Sequence, residues 1–422
     1  MKSLTESRWL RFAFFGLLYV AQGIPWGFIS KGYTIFLTDQ GLSNEALGSV
    51  MQVAYLPWSF KILAGPVLDR YRGGRFGRRR PFIVLAEMLM GLPLFTLALA
   101  DPTSQLGLVS AMIFLHNCFA ALQDVAVDGL AVDILPANET GRANSIMWAG
   151  KTVGVAIGGG SAVLAKYTNW QTTFVAIAAS VWVIMLAPLL LRERPRGDDA
   201  RLATEGSRLD LRELLRSLLF VPSLVGFLIA FVTPAGYALV GTFTTRLTRA
   251  ELGLSEERLF AISIAEAIAG VIGSLLGGLI ADKVSARRMM GASMVGISLF
   301  IGGFGALSHL WSSYAFVALY SVLLQLAICS YSAASLGFFM RLSNPAIGAT
   351  QFTAYMATTN LCYSFSAKWG GWMADKVGYV NGYFIAAALQ VLSVSLLLLC
   401  DPQKAEARFR DNEKNAPTLE PA

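Results

Sequence analysis

The sequence predicts an all-α membrane protein with 12 transmembrane helices in two six-helix bundles. The chain of 422 residues is 55% hydrophobic and only 14% charged, whereas soluble domains carry about 25% charged residues. Apolar windows of about 20 residues, the length that crosses the hydrocarbon core of a bilayer, occur twelve times along the chain. One long polar segment, residues 192–216, separates the first six windows from the last six.

The windows define the elements of this architecture in chain order. They lie near residues 10–37, 45–68, 82–100, 106–135, 143–166, 169–191, 217–240, 257–281, 289–307, 311–340, 346–370 and 380–400. The start of the chain, MKSLTESRWLR, precedes a long apolar run without a cleavage site of small residues, so we expect the first span to be retained. We expect a first bundle over residues 1–191, a cytoplasmic linker over 192–216, a second bundle over 217–402 and a disordered cytoplasmic tail over 403–422.

The distribution of positive charge predicts that both termini are cytoplasmic. With the N-terminus inside, the cytoplasmic segments hold 25 of the 34 lysines and arginines, and the outer loops hold 5. Membrane proteins concentrate these residues in their short cytoplasmic loops. The same bias accounts for the net charge of +7. Because no basic stretch is interleaved with base-stacking aromatics, we expect no nucleic-acid partner.

Few residues in the sequence suggest catalysis or a bound cofactor. His116 and His309 are not part of a metal-spaced cluster, and no phosphate-binding loop or nucleophile motif occurs. The four cysteines all lie in apolar windows, which is typical of small buried side chains rather than of a disulfide or zinc framework. We therefore expect a protein that is not an enzyme, with no cofactor, no metal site and no built-in ATP drive.

A weak internal repeat relates the two halves. The stretches GPVLDRYRGGRFGRRR (65–80) and GGLIADKVSARR (277–288) each place a glycine four residues before an aspartate and arginines after it. The stretches GSAVLAKYTNWQTTFVA (160–176) and GGWMADKVGYVNGYFIA (370–386) share four residues at an offset of 210. Two halves of six spans in parallel repeat are typical of the major facilitator architecture.

The first pair of stretches resembles the cytoplasmic loop motif of the major facilitator superfamily. KILAGPVLDRY (61–71), FGRRRP (76–81) and QDVAVDGLAVDIL (123–135) resemble a narrower branch that contains AmpG-type muropeptide permeases, acetyl-coenzyme A transporters and siderophore permeases. The larger muropeptide permeases carry two further spans. The resemblance implies the major facilitator fold, alternating access and a monomer in the bacterial inner membrane.

The resemblance also implies a function, which is the proton-driven import of a bulky amphipathic solute. It favours an anhydromuropeptide, with a ferric siderophore or an acyl-coenzyme A or other organic solute as alternatives. A non-transporting membrane receptor and a membrane-bound enzyme are the alternatives of a different class. The expected partners are a small-molecule solute, protons as the coupling ion and the lipid bilayer.

Charged residues inside the spans predict the transport site. Asp124 and Asp128 on span four form one polar stripe with Asn117, because these three positions fall within about 40° of one another on a helix. Lys61 on span two and Lys151 on span five lie about 12 Å from the cytoplasmic end, close to the depth of the two aspartates. Opposite charges at one depth offset the penalty of burial. We predict that the two lysines and two aspartates form a network, either as static ion pairs or as groups whose protonation changes during transport.

Two acidic residues lie apart from this network. Glu266 on span eight is alone in an apolar run about 22 Å from the inner end, which makes it a candidate for proton coupling. The alternative is an ion pair with Lys368 of span eleven or Lys31 of span one. Glu87 on span three is expected to be a snorkelling or packing residue.

Further polar stretches predict the walls of a solute path. The stretch QGIPWGF (22–28) breaks span one, because Pro25 removes a helix hydrogen bond, and Gln22 and Trp26 would then face a solute. Spans ten and eleven are rich in hydroxyl, amide and aromatic side chains, which suits a cavity for a bulky solute. The candidate contacts there are Gln325, Tyr331, Gln351, Tyr355, Asn360 and Tyr363.

The loop after span two predicts a conformational latch at the cytoplasmic end. It would bind the inner ends of neighbouring helices, with Asp133 as its partner, and stabilise the state closed to the cytoplasm. Its residues are Gly65, Asp69, Arg70, Arg78 and Arg79. The repeat predicts a weaker second latch from Asp282, Lys283, Arg287 and Arg288. The alternative is that these cations only set the orientation of the chain in the membrane, since they also satisfy the positive-inside bias.

Overall fold

The computed structural model describes residues 3–65, 68, 76–99, 105–136, 139–194, 220–343 and 348–401. In the first half the helices are α1 (Arg8–Gly27), α2 (Tyr33–Asp39), α3 (Asn44–Ser59), α4 (Arg80–Leu97), α5 (Leu106–Ile134), α6 (Thr140–Gly159), α7 (Ser161–Tyr167) and α8 (Trp170–Leu190). Polar caps fix several of their starts, because the Ser43 and Asn169 side chains accept the backbone N–H groups of Ala46 and Thr172.

The second half continues the helical pattern. Its helices are α9 (Val221–Val232), α10 (Ala235–Arg246), α11 (Glu256–Val284), α12 (Ala286–Ala306), α13 (Tyr314–Leu342) and α14 (Gly348–Leu392). Gly378 interrupts α14 with φ 78°, a left-handed conformation that glycine adopts without a steric penalty. The interruption falls where the sequence predicts the loop between spans eleven and twelve.

The predicted spans coincide with helical structure. Nine stretches of the described residues are long and apolar enough to cross a membrane. One of them, Thr350–Leu399, covers two predicted spans, while α3 and α6 coincide with spans two and five and are not among the nine. The all-helical fold class is therefore confirmed, and the count of twelve spans stays a prediction.

Span one differs from the expectation that Pro25 breaks it. Pro25 lies inside α1, which passes through a five-residue π-helix at Phe28–Gly32 into α2, so that Arg8–Asp39 is one helical stretch. The Phe28 N–H meets the carbonyls of Ile24 and Pro25. The helix therefore continues past Pro25, and a π turn follows within one helical turn of it.

The glycines of this stretch serve close helix packing. A Cβ atom at Gly23 or Gly27 would collide with the backbone of α6, and a Cβ atom at Gly150, Gly154 or Gly158 would collide with the backbone of α1. Small residues at these positions let the two helices approach closely, which is how helices associate in a membrane. This contact fixes α1 and α6 around the predicted site.

The buried apolar side chains form two large clusters, which follow the two halves of the chain. The first runs from Leu4 to Ile184 and adds Ala367, and the second runs from Ile229 to Cys400. The linker predicted at 192–216 is described only as far as Arg194, and the tail predicted at 403–422 lies outside the described residues. The bundle boundaries therefore stay predictions.

Candidate transport site and gates

The helical assembly has two ends, which we name by the residues that they carry. The terminal end carries Arg8 at the start of α1 and Cys400 after the last helical turn. The distal end carries Asp39 at the end of α2 and Glu256 at the start of α11.

Lys61 and Asp124 form a buried ion pair inside the first half. Lys61 follows the end of α3, where a short 3-10 helix begins, and its Nζ atom lies 3.1 Å from Oδ2 of Asp124 on α5. The two side chains are 14% and 7% exposed. At that burial each charge would be costly alone, and the pair offsets much of the penalty.

Asp128 and Lys151 have partners other than each other. Asp128 is exposed, and its Oδ1 accepts a 2.6 Å hydrogen bond from the Tyr19 hydroxyl of α1. Lys151 on α6 lies 4.9 Å from the ring of Trp58, 5.4 Å from that of Trp148 and 6.0 Å from that of Tyr19. No described carboxylate lies within 4.0 Å of Lys151. The four charged residues therefore share one region without forming one chain of direct ion pairs, because the tyrosine hydroxyl and the aromatic rings occupy the contacts.

Asn117 belongs to the same region. It is 1% exposed, and its Oδ1 atom accepts a 3.3 Å hydrogen bond from the indole N–H of Trp58. Its Nδ2 atom is buried and has no hydrogen-bond partner in the part of the chain that the structure describes. The sequence predicted the stripe of Asn117, Asp124 and Asp128, but not the aromatic residues that face it.

Glu87 forms a second polar chain that sequence reasoning missed. Its Oε1 atom accepts a 3.1 Å hydrogen bond from Nε2 of Gln123, whose Oε1 atom accepts a 2.6 Å bond from Nε2 of Gln22. Glu87 is 0% exposed, and its Oε2 atom has no partner in the described residues. Of the two roles expected for Glu87, packing agrees with this burial and snorkelling does not, since the carboxyl group does not reach the surface. Gln22 is also buried at 2% exposure, which ties it to this chain.

Aromatic side chains continue from this region into the second half. The ring of Trp26 lies 4.7 Å from that of Tyr55, and the ring of Tyr55 lies 5.5 Å from that of Tyr363. The Tyr363 hydroxyl lies 2.6 Å from the Tyr237 hydroxyl. Trp26 and Tyr363 are thus both part of an aromatic path that joins the halves.

The other predicted second-half contacts divide into two groups. Asn360 donates to the carbonyl of Trp58 at 3.5 Å, so it touches the first half. Gln325 contacts Cys329 at 3.2 Å and Tyr331 lies 2.6 Å from Thr233, both within the second half.

Gln351 and Tyr355 do not line a solute path in this structure. Both are 0% exposed, and Nε2 of Gln351 donates to the Tyr355 hydroxyl at 2.9 Å and to the Ser223 hydroxyl at 2.8 Å. The sequence showed that these side chains are polar, but the neighbouring α9 satisfies and covers them. The expected solute contact is therefore replaced by a packing contact.

Glu266 of α11 forms an ion pair with Lys31 of the π turn in span one. The pair joins the second half to the first. Lys368, the other expected partner, is exposed and has no ion pair among the described residues. It therefore does not pair with Glu266 in this conformation.

A set of ion pairs closes the distal end between the halves. Arg249 contacts Asp39 at 2.7 and 2.9 Å and Glu256 at 2.5 Å. Lys166 contacts Glu257 at 2.6 Å and Glu256 at 3.5 Å. We call these five residues the distal gate. Lys166 and Arg249 are two of the five cations that the sequence places in outer loops, and the acidic residues in the same loops were a signal for pairing.

Hydrogen bonds support the distal gate. The side-chain amide of Asn44 at the start of α3 donates to Asp375 of α14 at 2.8 Å, and the N–H of Glu45 donates to the same carboxylate at 2.8 Å. Arg246 donates to the carbonyl of Leu42 at 3.0 Å. Each of these bonds crosses from one half to the other.

The ion pairs described at the terminal end stay within one half. Nε of Arg79 lies 3.0 Å from Oδ2 of Asp133, and Nη1 of Arg78 lies 3.8 Å from the same atom. Glu193 accepts the backbone N–H groups of Arg78 and Arg79 at 2.8 and 2.7 Å. The loop is therefore tied to α5 and to the start of the linker, and Glu193 is a residue that the sequence analysis missed.

The remaining latch residues have weaker support. Asp69 and Arg70 lie outside the described residues, and a Cβ atom at Gly65 would meet no described atom within 4 Å. In the second latch, Arg287 lies 3.8 Å from Asp401. Asp282, Lys283 and Arg288 form no ion pair with the described part of the chain. The latch role of both loops stays a prediction.

Comparison with known proteins identifies the family. The model of the Major Facilitator Superfamily matches residues 12–367 and 249–421. The chain belongs to the Major Facilitator Superfamily. As a member of this family it is a multi-pass membrane transporter of small-molecule solutes and not an enzyme.

Several relatives match nearly the whole chain. The chain is 26% identical to a protein of Escherichia coli (strain K12) named anhydromuropeptide permease, over 94% of this chain and 81% of the relative. It is 22% identical to the putative transporter AmpG 4 of Rickettsia conorii, over 91% of this chain and 94% of the relative. An uncharacterized protein of Haemophilus influenzae is 27% identical over 91% and 93% of the two chains.

Solved structures share the fold at low sequence identity. The D-xylose-proton symporter superposes with a TM-score of 0.74 at 16% identity, covering 94% of this chain and 99% of that chain. The nucleoside transporter NupG gives a TM-score of 0.69 at 14% identity, covering 92% and 98%. The inward open xylose transporter XylE from E. coli gives 0.70 at 15% identity, covering 96% and 99%. These likenesses show the major facilitator fold.

Proposed function

We propose that this transporter is a proton-coupled symporter that imports an anhydromuropeptide across the bacterial inner membrane. It works as a monomer by alternating access, with both termini in the cytoplasm. The terminal end then faces the cytoplasm and the distal gate faces the periplasm. The name of the E. coli relative supports the choice of solute, since the likeness extends over 94% of this chain.

One observation carries the proposal. Lys61, Asp124, Asp128 and Lys151 gather in the first half beside an aromatic path that reaches the second half. Ionisable groups inside a membrane protein usually mark the path of a solute or a proton. A site at the junction of two halves is where rocking of one half against the other gives access from alternate sides.

Asp128 is the acid that we assign to proton coupling. It is exposed, and its described partner is a neutral tyrosine hydroxyl rather than a cation. Such a carboxyl group can gain and lose a proton without breaking an ion pair. Glu266 is the second acid of the coupling mechanism, because its ion pair with Lys31 joins the halves and must separate when the distal end opens.

Uptake by purified protein in liposomes tests this function. With the outside more acidic than the lumen, we expect labelled anhydromuropeptide to accumulate, and a protonophore to abolish the accumulation. Asp128→Asn should lose gradient-driven accumulation and keep exchange of labelled for unlabelled solute at equal pH. Accumulation that persists with the protonophore would refute proton coupling, and absence of both uptake and exchange by the wild type would refute the solute.

A further inference from the structure

Among the described residues, Lys151 is the cation of the transport site that has no carboxylate within 4.0 Å. We propose that Lys151 and Asn117, arranged against Trp58, form a subsite that binds a carboxylate group of the solute. This inference rests on the proposed function and deepens it, because it names the chemical feature by which the site recognises its solute.

The first argument is the distribution of partners among the charged groups. Asp124 is engaged by Lys61 at 3.1 Å, and Asp128 accepts the Tyr19 hydroxyl at 2.6 Å. Lys151 has three aromatic rings at 4.9 to 6.0 Å and, within the described residues, no carboxylate at 4.0 Å or less. An ammonium group carries three N–H donors, and aromatic faces satisfy its charge only in part. A carboxylate would be a stronger partner.

The second argument is an independent donor beside the same indole. Asn117 uses its carbonyl oxygen to accept the Trp58 N–H at 3.3 Å, so its amide orientation is fixed with Nδ2 free. That atom is buried and has no hydrogen-bond partner among the described residues, in a side chain that is 1% exposed. A buried N–H donor without an acceptor is destabilising, and a bound anion would remove the penalty. Both uncommitted donors therefore lie against Trp58.

The aromatic residues add a requirement for the rest of the solute. Trp148 is 47% exposed, and Trp58 and Trp26 lie with their ring centroids 6.4 Å apart. Indole faces bind the apolar faces of rings and sugars. We therefore expect a solute that carries both a free carboxylate and a ring, as a muramyl peptide does and a neutral pentose does not.

The subsite also touches the moving half. The side-chain amide of Asn360 in α14 donates to the carbonyl of Trp58 at 3.5 Å. A carboxylate held against Trp58 would thus be bound at a contact that changes when the halves rock. This places recognition of the charged group at the point where binding can bias the conformation.

Equilibrium binding to the purified full-length protein tests the subsite without requiring transport. The readout is intrinsic tryptophan fluorescence, and the two probes are muramyl dipeptide and the same compound with its free carboxylate converted to an amide. We expect the wild type to bind the acid at least about tenfold more tightly than the amide, as one charge-assisted contact can provide. Lys151→Met should bind both probes with the affinity that the wild type has for the amide, and Lys151→Arg should keep the preference.

Lys376→Met is the matched control, since it removes one positive charge from an exposed lysine at the distal end. It should retain the preference for the acid. Melting temperatures of all variants show whether they are folded. If Lys151→Met keeps the wild-type preference, the subsite is refuted while the proposed solute stands. If the wild type binds neither probe or binds them equally, the subsite is refuted. The proposed solute is tested separately, by uptake into liposomes.

Discussion

Arg249 of the second half binds the Asp39 carboxylate of the first half through two nitrogen–oxygen contacts, of 2.7 and 2.9 Å. The contact lies at the distal end, where Lys166 and Glu257 form a parallel bridge between the halves at 2.6 Å. The ion pairs described at the terminal end stay within one half. In this conformation, ion pairs between the halves hold the distal end closed. These pairs must separate when the distal end opens.

Breaking the pair should favour opening of the distal end. Asp39 is 39% exposed in its side chain, so solvent screens the interaction and Arg249→Ala should shift the equilibrium by about 1 kcal/mol, roughly fivefold. Hydrogen exchange of the segments 39–44 and 246–256 should accelerate accordingly. Asp39→Asn removes the partner in the other half and leaves the contact of Arg249 with Glu256, so it should accelerate exchange in the same direction. Equal exchange in all variants would show that this pair does not hold the gate.

The pair of Lys31 and Glu266 should behave as a unit. Glu266→Gln leaves a partly buried lysine without its counter-charge, so it should lower the melting temperature more than the double change Lys31→Met with Glu266→Gln. The wild type, the two single variants and the double variant form a double-mutant cycle, and thermal unfolding in detergent measures the stability of all four. Additive effects of the two single changes would indicate that the ion pair does not stabilise this conformation.

The same cycle separates packing from proton coupling. If Glu266 takes part in coupling, the double variant should be stable and yet fail to accumulate solute against its gradient. It should still exchange labelled for unlabelled solute. Accumulation at the wild-type level by the double variant would restrict the pair to a structural role.

Glu87 should tolerate a neutral isostere but not truncation. A fully buried carboxyl group with an amide as its described partner is stable only in its neutral form, since an isolated charge at that burial is very costly. Glu87→Gln should therefore change the free energy of unfolding by less than about 1 kcal/mol, whereas Glu87→Ala should cost about 2–4 kcal/mol through a cavity and an unpaired Gln123 amide. Equal destabilisation by both would mean that the charged carboxylate is required.

Gly27 should not accept a side chain, because a Cβ atom there would collide with the backbone of Val155 in α6. We expect Gly27→Ala to force α1 and α6 apart, at a cost of about 2–3 kcal/mol, and to lower the yield of folded protein. Gly241→Ala is the control, since a Cβ atom there meets no described atom within 4 Å and alanine is the better helix former. Similar melting temperatures for the two variants would contradict the close-packing account.

Much of the architecture followed from the sequence because the bilayer imposes simple rules. The lengths of the apolar windows predicted helices that the structure contains, and the turn at Gly378 lies in the predicted loop between spans eleven and twelve. Pro25 shows the limit of such rules. A proline removes one hydrogen bond wherever it stands, but whether the helix ends there depends on its surroundings, and here the helix continues past Pro25 into a π turn.

The candidate site followed from the sequence only in part. Depth along a helix predicted a network of Lys61, Lys151, Asp124 and Asp128, because rise per residue is fixed. Within that set only Lys61 and Asp124 form a direct ion pair among the described residues. Trp148 lies three residues before Lys151 on α6, as helical spacing implies, but Tyr19 of α1 and Trp58 of α3 were not predictable as its partners. Gln351 and Tyr355 were assigned to a cavity wall for their polarity, and the adjacent Ser223 of α9 makes them a packing contact.

Composition and the lengths of the apolar windows were enough to establish a helical membrane protein with charged side chains inside its spans, because both reflect the surroundings of each helix. The three-dimensional contacts show which of those charges pair, which have no counter-charge among the described residues, and which loops close the distal end. Pairing depends on contacts of a few ångströms between helices far apart in the chain, and one-dimensional patterns do not contain that distance.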